Sequence, residues 1–403
     1  MALFDLTEFL KLSSVLNYNL SATSINRYNL LQFIIGDRRL ERSKERDREA
    51  KVLIMETFSF LFQAYREKRR RLGPMAVIHP IRTAALLTRS QDSAQLLQIL
   101  TALLHDLLED IKTVDFDPVT WRHLEAQIFD VLHRLDADEE EKLIDNLKHL
   151  TKVTGETYYQ YIGRLLESTG GTDVTVQVKL ADRLDNTLDL WIELEDPLEG
   201  TDFYESVFQT LFVGNYPGIG QGAMYSSGSS LNGARRLYQL FKNSVLLSLI
   251  RKKGLWKKNH ASKKLFNAVA TASLREAQRT LIGQMGRQIT DPALLRKLFL
   301  EVMEYGYSGR VDLVTRPNDA FMLDGLFSGY FVGPSKKDRD LNLERLYGNK
   351  ELMVEASLAF VTVFLSFLND ERFFVRGISA DGIEPRPFQP ESASSDTSRS
   401  SAK

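Results

Sequence analysis

Residues 101–111, TALLHDLLEDI, set an imidazole and three carboxylates among Leu, Ala and Ile. His105 and Asp106 are adjacent, and Glu109 and Asp110 follow one helical turn later. Burying such groups in a leucine-rich segment without a partner costs several kcal/mol, roughly. A metal ion supplies that partner. On a helix, positions i, i+3 and i+4 share a face, so His105 and Asp106 both neighbour Glu109, and Asp106 neighbours Asp110. Adjacent residues diverge by about 100° around the axis, which lets His105 and Asp106 reach one ion.

Two further donors complete the set. His79 stands in VIHP, and Asp182 in VKLADRLDN, one turn before Asn186. Pro80, with its fixed φ and missing N–H, suits a helix start and sets His79 at a helix N-terminus. His79, His105, Asp106 and Asp182 form a sulfur-free, hard-to-borderline ligand set suited to Mn²⁺ or another divalent first-row ion. Such an ion turns its water into a nucleophile near neutral pH. Glu109 and Asp110, just beyond the ligands, are placed to orient that water or shuttle its proton.

The elements that must position these groups read as helices, since period-two alternation and hairpin dipeptides are scarce. The expectation is an all-α protein. It comprises an N-terminal helical extension (1–50), a helical unit holding every candidate ligand (51–198), a Gly/Ser-rich loop or linker (199–233), a C-terminal helical region (234–384) and a disordered tail (385–403). Asp92 and Gln95 resemble a capping box that opens one helix running through Ile111, with Leu103, Leu104, Leu107, Leu108 and Ile111 as its core contacts. Segment 214–233 is no phosphate-binding loop, because no Gly-Lys-Ser/Thr follows it. The acidic run 136–142 lacks EF-hand spacing and reads as solvated surface.

The 403 residues include 52 Lys and Arg against 53 Asp and Glu. This balance argues against electrostatic attraction of the whole protein to nucleic acid. There is no cysteine, which excludes thiolate chemistry and fits a reducing compartment. The N-terminus lacks a basic stretch before its apolar residues and does not read as a signal peptide, so a cytoplasmic location is expected. The apolar run 352–368 is shorter than the roughly 20 residues of a spanning helix and reads as a buried helix. The basic stretch 251–264, RKKGLWKKNHASKK, reads as solvated helix ends around a loop, with contact to nucleic acid or an anionic membrane as the alternative.

Taken in order, His79, His105-Asp106-x-x-Glu109-Asp110 and the Asp182–Asn186 segment resemble the HD superfamily of metal-dependent phosphohydrolases. The resemblance spans residues 56–195 and is strongest to the guanosine-tetraphosphate hydrolase half of the stringent-response enzymes. It implies an HD-type helical bundle, with His79, His105, Asp106 and Asp182 as metal ligands and Glu109 and Asp110 as the catalytic pair. By the same resemblance Asn186 lies near the ribose and phosphate, and Arg70-Arg71 replaces an Arg-Lys pair that contacts the guanine nucleotide. Guanidinium can both stack on a base and bind phosphate in bidentate fashion. The implied activity is release of pyrophosphate from the 3′ position of guanosine tetra- or pentaphosphate. Departures at Leu72, Met75–Ile78 and Asp185 touch the base pocket more than the metal. Two other readings stay open: hydrolysis of a different nucleotide or phosphorylated small molecule, and a non-catalytic nucleotide sensor.

Overall fold

The computed structural model describes residues 26–66, 68–70, 75–93, 95–167, 174–191, 202–208, 232–288, 291–297, 299–300, 330–331, 333, 335–375 and 378–383. Local chemistry explains where its helices begin. Helix α1 (Arg27–Ile35) starts where the Asn26 side chain accepts from the Tyr28 amide, and α2 (Lys44–Tyr65) starts at Ser43. Asp47 in the first turn of α2 accepts from the Leu40 amide at 2.7 Å and pairs with Lys51, so part of the charged run 36–51 braces a turn. Helix α3 (Ile78–Ser90) carries the His-Pro pair in its first turn, as the sequence suggests.

The single helix expected to reach Ile111 is two helices. Helix α4 covers Leu96–Leu104 and the one-turn α5 covers Leu107–Asp110. Gln95 is the N-cap of α4 and makes no side-chain capping bond, so the capping box is not formed. At the break, Asp106 adopts φ −97° and ψ 4°, and the Ala102 carbonyl accepts from the imidazole of His105 at 2.8 Å. The side chain has taken an acceptor at the helix end, where carbonyls lack helical donors. Leu103, Leu104 and Ile111 are buried, but the turn swings Leu108 outward to 53% exposure and leaves Leu107 only partly buried.

Helix α6 (Pro118–Leu132) has Asp117 as N-cap with proline in its first turn, and α7 (Ala137–Leu150) has Asp136. The acidic run at 136–142 thus lies at the start of α7, where the positive end of the helix dipole stabilises negative charge. Helices α8 (Tyr158–Glu167) and α9 (Val174–Leu188) complete the unit that carries the candidate ligands. Beyond them come α10 (Phe203–Phe208), α11 (Gly233–Lys252), α12 (His260–Gln288), α13 (Lys336–Gly348) and α14 (Lys350–Asn369). Among the described residues the one sheet is a two-stranded hairpin, Ile378–Ser379 paired with Gly382–Ile383. The all-α expectation holds.

Helix α9 is the pivot. It packs on α3 on one side and along α12 on another, while α12 packs along α14. A buried polar joint locks this arrangement. Asn243 of α11 donates to Thr187 of α9 and to Ser273 of α12, each at 2.8 Å, and accepts from Arg183 of α9 at 2.8 Å. Satisfied buried polar groups of this kind specify one packing register.

Helix α14, at 20 residues, is long and apolar enough to cross a membrane by length and composition, yet most of it is buried in the fold. Phe360, Phe364 and Phe367 form a ring ladder that meets Phe331 and Phe266. The basic stretch 251–264 is largely accounted for at this end. Arg251 stacks over Trp256 and Phe266 at 4.3 and 4.4 Å and donates to the Phe367 and Asp370 carbonyls. Lys257 and Lys263 both pair with Glu371. Truncating Phe364 to Ala should lower the unfolding free energy by about 3–5 kcal/mol in chemical denaturation. A loss below about 1 kcal/mol would mean that α14 does not sit in the core.

Candidate metal centre and adjoining cleft

The centre forms where the first turn of α3, the break after α4 and the middle of α9 meet. His79 Nε2 lies 3.3 Å from Asp106 Oδ2 and 3.2 Å from Asp182 Oδ1. His105 Nε2 lies 3.2 Å from Asp106 Oδ2 and 3.9 Å from Asp182 Oδ1. The two rings meet edge to face with centroids 5.0 Å apart. His79, His105 and Asp182 are buried and offer donor atoms within 4.8 Å of one another. Asp106 is 25% exposed and closes the open side.

The remaining nitrogens fix the rings. His79 Nδ1 is 2.6 Å from Asp185 Oδ2, and His105 Nδ1 is 2.8 Å from the Ala102 carbonyl. With both Nδ1–H groups donating outward, both Nε2 lone pairs point inward, the tautomer a cation requires. His105 Nε2 is buried and makes no hydrogen bond. An orphaned buried acceptor beside clustered carboxylates fits a divalent ion.

The electrostatics of the bare side chains lead to the same place. Burial opposes charge on both imidazoles, but Asp106, Asp182 and Asp185 outweigh it at His79, and Asp106 and Asp182 do so at His105, so both pKa values are raised. Burial pushes Asp106 and Asp182 up, yet the imidazoles, with Lys179 for Asp182, hold both well below the usual carboxylate range. Negative charge collected here is neutralised by protons or by a cation.

Glu109 and Asp110 sit on α5 at the exposed rim. Glu109 accepts from the Lys152 amide at 2.6 Å, and burial raises its pKa. Asp110 accepts from the Tyr65 hydroxyl at 3.2 Å, and burial and Asp106 raise its pKa. Asn186 donates to the Asp182 carbonyl at 3.0 Å and to its carboxylate. Arg70 pairs with Asp189 at 2.5 Å and Asp185 at 3.3 Å, and donates to Asn186. Arg71 lies outside the described residues.

Asp185 departs from its expected place. It touches the candidate ligand His79 directly, fully buried behind it and clasped by Arg82 through Nε at 2.5 Å and Nη2 at 3.0 Å. Arg82 also pairs with Asp189. The signal was present in the spacing, because Asp182, Asp185 and Asn186 share one face of α9, Asp189 follows at the next turn's spacing just past the helix end, and Arg82 lies one turn after His79. Lys179, paired with Asp182 at 2.8 Å, belongs to the same face.

Beside the centre opens a cavity of about 590 Å³. Asp106, Glu109, Lys179, Asp182 and Asn186 line it, and so do Tyr238 and Lys242 of α11 and Lys336 and Arg339 of α13. Asp110 is not in the lining.

The comparisons with known proteins bear on part of this chain. Over 144 residues it is 25% identical to a guanosine-3′,5′-bis(diphosphate) 3′-pyrophosphohydrolase of Aquifex aeolicus (strain VF5), a match covering 36% of this chain and 18% of that protein. The match therefore spans under a fifth of the relative's length. No family model matches. No solved structure matches either. The chain is thus distantly related to that hydrolase over about a third of its length, and its buried His-Asp cluster is compatible with a divalent metal.

Asp185 holds the His79 tautomer, so Asp185→Asn should weaken Mn²⁺ affinity roughly 10–100-fold in calorimetric titration. Unchanged affinity would remove Asp185 from the support of the site.

Proposed function

We propose that this protein is a metal-dependent phosphohydrolase, and that its substrate is guanosine 3′,5′-bis(diphosphate), cleaved at the 3′ position. The observation that carries the reading is the meeting of His79, His105 and Asp182, with Asp106, at one end of a cleft rimmed by Glu109. The distant likeness to a hydrolase of that substrate agrees with it. His79, His105, Asp106 and Asp182 would hold the ion. When bound, a divalent cation supplies positive charge to a phosphoryl oxygen and lowers the pKa of water.

The chain's own groups do the rest. Glu109, with its carboxyl pKa raised, takes a proton from the attacking water near neutral pH. The water oxygen bonds to the phosphorus attached to the 3′ oxygen. That phosphorus–oxygen bond breaks, Glu109 passes the proton it took from water to the departing 3′ oxygen, and GDP and pyrophosphate are released. Lys179, held against Asp182, faces the cleft as a fixed positive charge for the phosphoryl oxygens. Asn186 steadies Asp182 through its two contacts. Asp110 orients the rim through Tyr65.

One observation favours a second substrate within the same reaction class. Arg70, assigned by resemblance to the guanine nucleotide, is engaged by Asp185, Asp189 and Asn186. A guanidinium tied to two carboxylates has less freedom to stack on a base, so another phosphorylated nucleotide is the alternative substrate.

A panel of nucleotides assayed with and without Mn²⁺ for phosphate and pyrophosphate release tests both readings. The proposal expects Mn²⁺-dependent pyrophosphate from guanosine tetraphosphate and none from His105→Ala. Release from other nucleotides alone would move the substrate, and binding without turnover of any would leave a sensor. Wild-type rates in His105→Ala would end the metal mechanism.

A further inference from the structure

The cleft beside the candidate metal centre has a lining that the proposed chemistry does not use. Tyr238 and Lys242 come from α11, and Lys336 and Arg339 from α13, outside the segment 56–195. The Lys242 ammonium lies 5.1 Å from the Tyr238 ring centroid, and the Arg339 guanidinium 5.0 Å from the same ring. Neither these two nor Lys336 forms an ion pair with a described carboxylate. Arg183, in the same lining, is satisfied by neutral groups, the Asn243 side chain and the Gln239 carbonyl and amide oxygens.

The cations therefore repel one another across a partly desolvated space. Burial first, and then Arg183 with Lys179 and Arg339, push the Lys242 ammonium well below its usual range, against the pull of Asp182. Polar groups nearby are also short of partners. The buried Nε of Arg339 and the buried hydroxyls of Tyr158 and Tyr159, which line the same cavity, make no hydrogen bond. Clustered positive charge and unsatisfied donors in one cavity are the complement of a polyanion.

We infer that Lys242, Arg339 and Lys336, from the C-terminal helices, form with Arg183 a subsite for a second phosphate-bearing group of the substrate. Its identification as part of a nucleotide rests on the proposed hydrolase function. A ligand phosphorylated at two separated positions would place one group at the His-Asp cluster and the other against these cations. The C-terminal helices then act in substrate binding, selecting bis-phosphorylated over singly phosphorylated ligands, with Tyr238 as an aromatic face between.

Inorganic pyrophosphate, titrated calorimetrically into the full chain with EDTA present, reads the subsite without metal or turnover. The expected result is measurable binding that falls at least about tenfold in Lys242→Met/Arg339→Gln and is kept in His105→Ala. No binding to the unaltered protein, or equal affinity in the double variant, overturns the inference. If the double variant loses its cooperative thermal transition, the exposed Lys336→Gln decides. A weakening of about two- to fivefold supports the subsite, and none overturns it. Pyrophosphate binding that depends on these cations, in a protein that hydrolyses no nucleotide, keeps the subsite and rejects only the hydrolase reading.

Discussion

Asp106, Asp182, Asp185 and Asp189 crowd around the start of α3 and the middle of α9, and their mutual repulsion is the constraint that the surroundings answer. Arg82 and Arg70 balance the inner pair, Asp185 and Asp189. Lys179 and the two imidazoles balance the outer pair. The division matters because the inner pair has permanent cations, whereas the outer pair depends partly on groups that carry charge only when protonated. A divalent ion would take the place of those protons. Asp185 links the two shells, since its carboxylate touches both Arg82 and His79.

The same helix reaches in two directions. The face of α9 toward α3 carries Asp182 and Asp185, with Asp189 in the turn just past its end, while Arg183 and Thr187 turn toward α11. A shift in the packing of the C-terminal helices would therefore move the backbone that carries Asp182. Rigid support of this kind is what a metal site needs, because donors must be held to within a few tenths of an ångström. The buried Asn243 joint, in which a neutral amide ties Arg183 and Thr187 of α9 to Ser273 of α12, supplies that support, and α14 backs it with a ladder of aromatic rings.

Much of this was legible in the chain and some was not. The helical class followed from the scarcity of period-two alternation and hairpin dipeptides, and His105 and Asp106 stood out because charge in a leucine-rich segment requires an explanation, with His79 and Asp182 as the further donors that complete a metal set. The break after Leu104 was hidden, because the leucine pattern continues through it and no glycine or proline marks it. It arises from a side chain, His105, competing for a backbone acceptor, and propensity does not encode that event. Asp185 was misplaced for a different reason. The family pattern assigns this position to the base side of the site, whereas helical spacing alone puts it on the face of Asp182. The cationic lining from α11 and α13 could not be read locally. Lys242 and Arg339 are nearly a hundred residues apart and meet only through packing.

One divalent cation between His79, His105 and Asp182 would answer the charge gathered at this centre. Anomalous diffraction from crystals grown with Mn²⁺ tests it most directly, because the scatterer is located independently of any activity. A single strong peak bonded to both Nε2 atoms and to an Asp182 oxygen is expected. Crystals equally rich in Mn²⁺ with no peak there, and the imidazoles still paired to their carboxylates, would contradict it.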